Sequence, residues 1–444
     1  MSHIGKLCVS LLSGLASLAM LSAAAAAPPG PVMEKNVTVT VINAADLIRA
    51  RSSGSQELPQ VHDQQMSLTS FGPAPRIDAQ TANNGRSLPF WVFQVKNAPR
   101  DGANHVGAMV GTSPFSEPQT SRIPTVIVPM IITTHTVAVS FDPKTGILGT
   151  TPGDVTQNSG APQSTCLTPP NNVPSTLVLQ SPIFQNAPFN LGGISFGNTQ
   201  YIDAFQRANF FQALGGDTSR YHVLFDPVRI TQPVTLDVPA NEGLAIPAQA
   251  FGLCGTVQIL DFNWFDGFIN GTLLPQLASQ GVDPRTIPVF FLYNTDLASP
   301  VTDLNTCCVL GYHSFAGEPT PSQTYSVAEI DVSGLFPPGD ENTEPLSHEM
   351  AELVDDPYAD NEVPPWGHIG QQGGCQENLE DGDPLSGTII PTVTMPNGFT
   401  YNLQELAFFS WFFGGESLGI NGWYSDNGTF RTDAGPQCGA DLTQ

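Results

Sequence analysis

The sequence predicts an α+β protein, with a β-rich N-terminal domain followed by a larger mixed domain that carries a metal site. Three observations lead there. Short β-branched and aromatic runs bounded by Pro, Gly, Asn and Asp are spread along the chain, and a few apolar-periodic segments stand among them. These alternate without a regular βαβ rhythm, and no Gly-x-Gly-x-x-Gly or phosphate-loop pattern appears. Finally, His348-Glu349-Met350-Ala351-Glu352 lies between Arg285 and Arg431, in 145 residues that hold 21 acidic side chains and no Lys or Arg.

Residues 1–27 read as a secretory signal peptide. Lys6 gives the positive start, residues 7–21 are largely apolar, and residues 22–27 are small, with cleavage expected near Ala25 to Ala27. No later stretch is long and apolar enough to span a bilayer as a helix, so an extracellular chain is expected (periplasmic in a bacterium), without membrane insertion. Residues 28–84 read as a flexible N-terminal segment with one edge strand at 37–42. Residues 85–150 read as the β-rich domain, with strands at 90–95, 125–132 and 136–141 and a turn at 142–146. Pro129 predicts that the middle strand is broken or at an edge, because proline has no N–H to give a ladder. The Pro, Gly, Gln and Asn-rich residues 151–174 read as a linker.

Residues 175–444 form the expected α+β metal-site domain. Aromatic spacing predicts a helix over 201–211, packed on a core. Strands are expected at 221–225, 234–238 and 288–293, and an aromatic-rich helix at 403–413. Trp366, Trp411 and Trp423 read as packing residues rather than a carbohydrate platform.

Removing the leader takes away only Lys6 among the charged groups, so 15 basic and 40 acidic residues become 14 and 40, a net charge of -26. Such a surface repels nucleic acid and anionic membranes, and no basic patch overrides it. It attracts cationic substrates or metal ions. Of seven cysteines, Cys8 falls in the leader. The other six suit disulfides in an exported chain, with the adjacent Cys307 and Cys308 expected to reach separate distant partners. The absence of Cys-x-x-Cys leaves no thiolate metal site.

Residues 344–354 have the marks of a helix. Pro345 suits its first turn, Glu344 meets the positive end of its dipole, and Asp355-Asp356-Pro357 ends it. His348 and Glu352, four apart, project from one face and could grip one ion, with Glu349 nearby as a base acting on bound water. Zinc accepts both ligand types, although Glu352 replaces the second His of the usual His-Glu-x-x-His pattern. A third ligand is expected from Glu380-Asp381-Gly382-Asp383, first Glu380 and then Asp383, with the glycine bending the backbone. Asp356, His313 and His368 are alternatives. Calcium competes for this acidic run, since carboxylate oxygens suit it. Ser347 beside His348 makes no nucleophile–base pair, and no Gly-x-Ser-x-Gly elbow or marked carboxylate pair supports other hydrolytic chemistry.

These motifs resemble secreted EXORDIUM, or phosphate-induced, proteins and related bacterial proteins with a zincin-like signature. The resemblance rests on Cys308-Val309-Leu310-Gly311-Tyr312-His313-Ser314, on Ser347-His348-Glu349-Met350-Ala351-Glu352 through Pro357, and on Glu380-Asp381-Gly382-Asp383. It covers roughly residues 285–385 and departs in the insertion between Pro357 and Glu380 and in the extra N-terminal unit. It implies a zincin-like C-terminal domain with His348, Glu352, Glu380 and Asp383 around the metal and Glu349 beside it. The expected function is a secreted zinc metallopeptidase-like hydrolase acting on a neutral or cationic peptide, with Glu349 as general base. The alternative is a non-catalytic secreted or cell-wall-associated binding protein, with a structural calcium or zinc ion and a wall component as partner.

Overall fold

The computed structural model describes residues 87–435, apart from 116–117, 135–136, 143–146, 153–154, 159–163, 240, 247–252, 302–307, 318–321, 337–340, 368–374, 387 and 389–391. It also describes residue 438 and two paired antiparallel strands, Glu34–Val37 and Met66–Thr69. The expected signal peptide, most of the 28–84 segment, the 142–146 turn beyond Asp142, Cys307 and His368 lie outside the described residues.

The organising element is a mixed sheet of seven strands. Its members are β3 (Thr120–Thr134), β4 (Val155–Asn158), β5 (His222–Ile230), β6 (Val234–Val238), β7 (Ile287–Tyr293), β8 (Gly311–Ala316) and β9 (Gln323–Ile330). The order runs β5–β3–β7–β9–β8, with β6 and β4 also on β3. β5, β6 and β7 run parallel to β3, and β9 runs parallel to β7. β8 closes one edge antiparallel to β9, setting His313 opposite Ser326. The continuous apolar run of β7 is buried at every position, as expected of a parallel strand covered on both faces.

One face carries α1 (Tyr201–Asn209) and α2 (Glu344–Asp355). Val289, Phe291, Ala328 and Ile330 share a core there with Leu346, Met350 and Leu353. Residues of alternate parity, Phe290, Leu292 and Val327, point to the opposite face and pack with Phe262, Phe265 and Ile269.

β3, which falls in the stretch expected to be the 85–150 domain, is a member of this sheet. Its apolar residues Val126 to Ile132 are those of a strand buried on both sides, and its parallel neighbours come from residues 222–293. The preceding hairpin of β1 (Phe90–Val95) and β2 (His105–Val110) joins the same core, with the Phe93 ring 5.0 Å from Phe409. Part of the expected linker is strand too, since β4 pairs with β3. Pro129 does not break β3. Its neighbour changes from β5, ending opposite Ile127, to β6, beginning opposite Met130, so the proline falls where that ladder is already interrupted.

The helix expected over 403–413 is confined to Phe409–Phe413. Upstream, the N–H groups of Gln404, Leu406 and Ala407 donate to Ser347, Asp426 and Asp381, which withdraws them from any helical ladder. Trp366 and Trp411 are fully buried against each other, so they are core residues. Disulfides join Cys166 to Cys254 and Cys375 to Cys438, and Cys308 is also disulfide-bonded.

Candidate metal centre

α2 lies against β8 and β9, and it is hydrogen-bonded to the Glu380–Asp383 loop through Glu352 and to the segment around Gln404 through Ser347. Every residue of this helix is buried, the polar ones included. Its polar residues therefore need partners inside the protein.

His348 Nε2 lies 2.9 Å from Glu352 Oε1 and 3.3 Å from Asp383 Oδ1. Its Nδ1 lies 2.7 Å from Gln404 Oε1. The Gln404 amide nitrogen donates to the Gly382 carbonyl, which fixes the amide orientation and leaves its oxygen facing the ring. The His348 proton therefore sits on Nδ1, and Nε2 is the nitrogen offered to the carboxylates.

His313 repeats this arrangement from β8. Its Nε2 donates to the Asp356 carbonyl at 2.9 Å, leaving Nδ1 3.4 Å from Glu349 Oε2 and 3.6 Å from Glu352 Oε2. A backbone carbonyl can only accept, so this tautomer too is fixed by its neighbour. In both cases an imidazole lone pair faces carboxylate oxygens. That is repulsive unless a proton or a metal ion stands between them.

Glycine makes these approaches possible. A Cβ on Gly382 would lie 2.6 Å from His348 Nδ1, and one on Gly311 would lie 2.6 Å from Glu349 Cγ. Gly382 has an ordinary φ of -82°. Space against the imidazole, rather than the expected backbone bend, is what this position requires.

The electrostatics follow from burial among like charges. Burial pushes Glu349 up to about 7, despite His313 and His348 pulling it down. Burial also pushes Glu352 up, but His348 and His313 outweigh it and hold this carboxyl below its ordinary range. Without a metal both imidazoles hold protons strongly: burial lowers their pKa, and the surrounding carboxylates, led by Glu380 for His313 and Glu352 for His348, raise it well above the usual value.

Two residue groups bring three ligand atoms within 4.8 Å of one another here: His348, Glu352 and Asp383, and His313, Glu349 and Glu352. Buried His/Glu clusters able to coordinate a metal ion are thus present. Asp383 lies with His348, while Glu380 lies 3.6 Å from Nε2 of His313, on the far side of that ring from Glu349 and Glu352. The Asp356 carboxylate instead accepts from the N–H groups of Asp360 and Asn361. Ser347 donates to the Glu344 carbonyl, a structural bond.

Sequence reasoning missed Gln404, which sets the His348 tautomer from a segment read as helix. It also missed a third grouping, Asp296, Glu329 and Asp331, which brings carboxylate oxygens alone within 4.8 Å of one another. Only the acidic bias of the Lys/Arg-free stretch signalled it. No protein-family model, curated protein or solved structure matches the chain.

Proposed function

We propose that this is an exported metal-binding protein of the EXORDIUM-like kind, whose ion locks α2, the edge strand β8 and the 380–383 loop together. The observation that carries this reading is the pair of fixed imidazole tautomers, each directing its free nitrogen at buried carboxylates. Imidazole nitrogen with carboxylate oxygen is a donor set for zinc or a similar first-row ion rather than calcium, which prefers oxygen alone. His348, Glu352 and Asp383 would hold it. Burial favours a structural role: His348 is 3% exposed, Glu349 2%, and Glu352 and Asp383 0%. A hydrolytic centre keeps one position open to water and substrate, whereas a structural one is closed.

The zincin-like peptidase reading stays as the second proposal, because Glu349 stands beside the same ligands. Bound zinc would supply Lewis acidity and an acidic water. The chain itself offers Glu349, raised to about 7, as the group to hold a proton. A neutral or cationic peptide would suit its surroundings, and a wall component is the partner proposed under the structural reading.

The deciding experiment measures metal content and melting of the purified mature protein before and after chelation, with peptide hydrolysis followed for wild type and Glu349→Gln. Bound transition metal, a lower melting temperature after chelation and no turnover support the structural role. Turnover lost in Glu349→Gln with metal retained supports the peptidase instead. Metal-free protein that neither binds nor responds to zinc overturns both.

A further inference from the structure

The two ligand groups share one residue. Glu352 sends Oε1 to the His348 and Asp383 side, where it also accepts from the N–H groups of Gly382 at 3.1 Å and Asp383 at 3.3 Å. Its Oε2 turns to the His313 and Glu349 side, is fully buried, and receives no hydrogen bond from any described donor. A carboxylate with its two oxygens in two separate nitrogen–oxygen groups has the form of a bridging ligand.

Charge counting points the same way. Glu349, Glu352, Glu380 and Asp383 all lie within 3.6 Å of one of the two imidazoles, and no Lys or Arg occurs in residues 286–430 to offset them. With neutral imidazoles and all four acids ionised these carboxylates would carry four negative charges, whereas without an ion burial raises Glu349 and Glu380 toward their neutral forms. One divalent ion leaves half of that charge buried, and two divalent ions cancel it. Uncompensated buried charge is costly, so the second ion answers a demand that the first does not meet.

We infer that the centre binds two metal ions, bridged by Glu352: one on His348 Nε2, Glu352 Oε1 and Asp383, the other on His313 Nδ1, Glu352 Oε2 and Glu349. This rests on the metal-binding reading above and goes beyond it in number, in ligand assignment and in the role of Glu349, which becomes a ligand. Glu380 then stays outside both ligand groups and offsets charge near the His313 ring. A bridging carboxylate sets such ions about 3.5–4 Å apart.

The test is the metal stoichiometry of the full mature chain, loaded with zinc, freed of weakly held ions and analysed by mass spectrometry. Reloading with manganese then allows the electron paramagnetic resonance spectrum to report whether the ions are coupled. Expected are two ions per chain and an exchange-coupled manganese spectrum. His313→Gln should keep one ion, and its manganese form should give the spectrum of an isolated ion. One zinc per wild-type chain overturns the pair while leaving the single-ion reading intact. Two ions with no magnetic coupling also overturn the bridge. Zero bound ions remove both readings. The wild-type measurements decide the question even if the variant does not fold.

Discussion

Replacing Glu352 by Gln separates metal binding from packing. The side chains are of equal size, and the amide oxygen of Gln can still accept from the N–H groups of Gly382 and Asp383, now held at 3.1 and 3.3 Å. What the substitution removes is the charge and one of the two ligand oxygens, because the amide nitrogen cannot coordinate. An ion that binds only the folded chain stabilises it by about 4 kcal/mol when its free concentration is a thousand times Kd. At roughly 2 °C per kcal/mol in chains of a few hundred residues, the metal-dependent rise in melting temperature is on the order of 8 °C for wild type. For Glu352→Gln it should be near zero.

The assay is differential scanning calorimetry of each protein with bound zinc and with chelator, disulfides intact. Taking the zinc-minus-chelator difference within each protein cancels any cost to the metal-free fold, where the carboxylate also meets His348 at 2.9 Å. The reasoning is refuted if Glu352→Gln keeps the wild-type difference, since the ion would then sit elsewhere. It is equally refuted if wild type shows no difference after verified zinc loading.

Two further substitutions probe the surroundings. Gly382→Ala would place a methyl group 2.6 Å from the His348 ring and should cost about 1–3 kcal/mol in denaturant titration while weakening zinc binding. Gly271→Ala, which meets nothing within 4 Å, is the control and should leave zinc binding unchanged. Asp296→Asn addresses the third acidic group. Burial raises Asp296 to about 8, so above the ordinary carboxylate pKa the unfolded chain releases a proton that the folded chain retains, and stability falls as pH rises from about 4 to about 8. The hydrogen-bonding neighbour of Asp296 is another buried acid, Glu329, and no N–H among the described residues donates to either Asp296 oxygen. In chelated protein at pH 7, Asp296→Asn should therefore stabilise by about 1–3 kcal/mol and flatten this slope. Destabilisation of that size would count against the argument.

The parts of the centre legible in the sequence are the local ones. Pro345 and Asp356-Pro357 punctuate α2, and the four-residue spacing places His348 and Glu352 together whatever surrounds them. The contribution of His313 depends on the antiparallel register of β8 with β9, a long-range property, although the Gly-Tyr-His segment brought it forward as an alternative. Glu380 approaches His313 and Asp383 approaches His348, a placement that no spacing encodes. Gln404 was hidden for a different reason. Aromatic spacing over 403–413 imitates a helix, whereas the backbone there is committed to Ser347, Asp381 and Asp426. The same limit applies to β3, whose strand character was readable but whose parallel neighbours, drawn from residues 222–293, were not.

The missing Lys and Arg gain a physical meaning from this geometry. Among the described arginines outside the stretch, Arg122 pairs with Asp226, Arg207 with Asp203 and Arg285 with Asp283, while Arg100 donates to the carbonyls of Trp411 and Asp433 and Arg431 to that of Gly428. A fixed positive side chain about 4 Å from a bound ion would repel each unit of its charge by about 4 kcal/mol at an effective dielectric of 20. For a divalent ion that doubles to about 8 kcal/mol, on the order of a million-fold in affinity. Such a side chain would satisfy the buried carboxylates permanently and exclude the metal. The two histidines compensate them only conditionally, since each can give up the proton on its carboxylate-facing nitrogen to an incoming ion while its other nitrogen keeps its hydrogen bond to Asp356 or Gln404. A long stretch without fixed positive charge is what a protein requires if its buried acids are to stay available to metal ions.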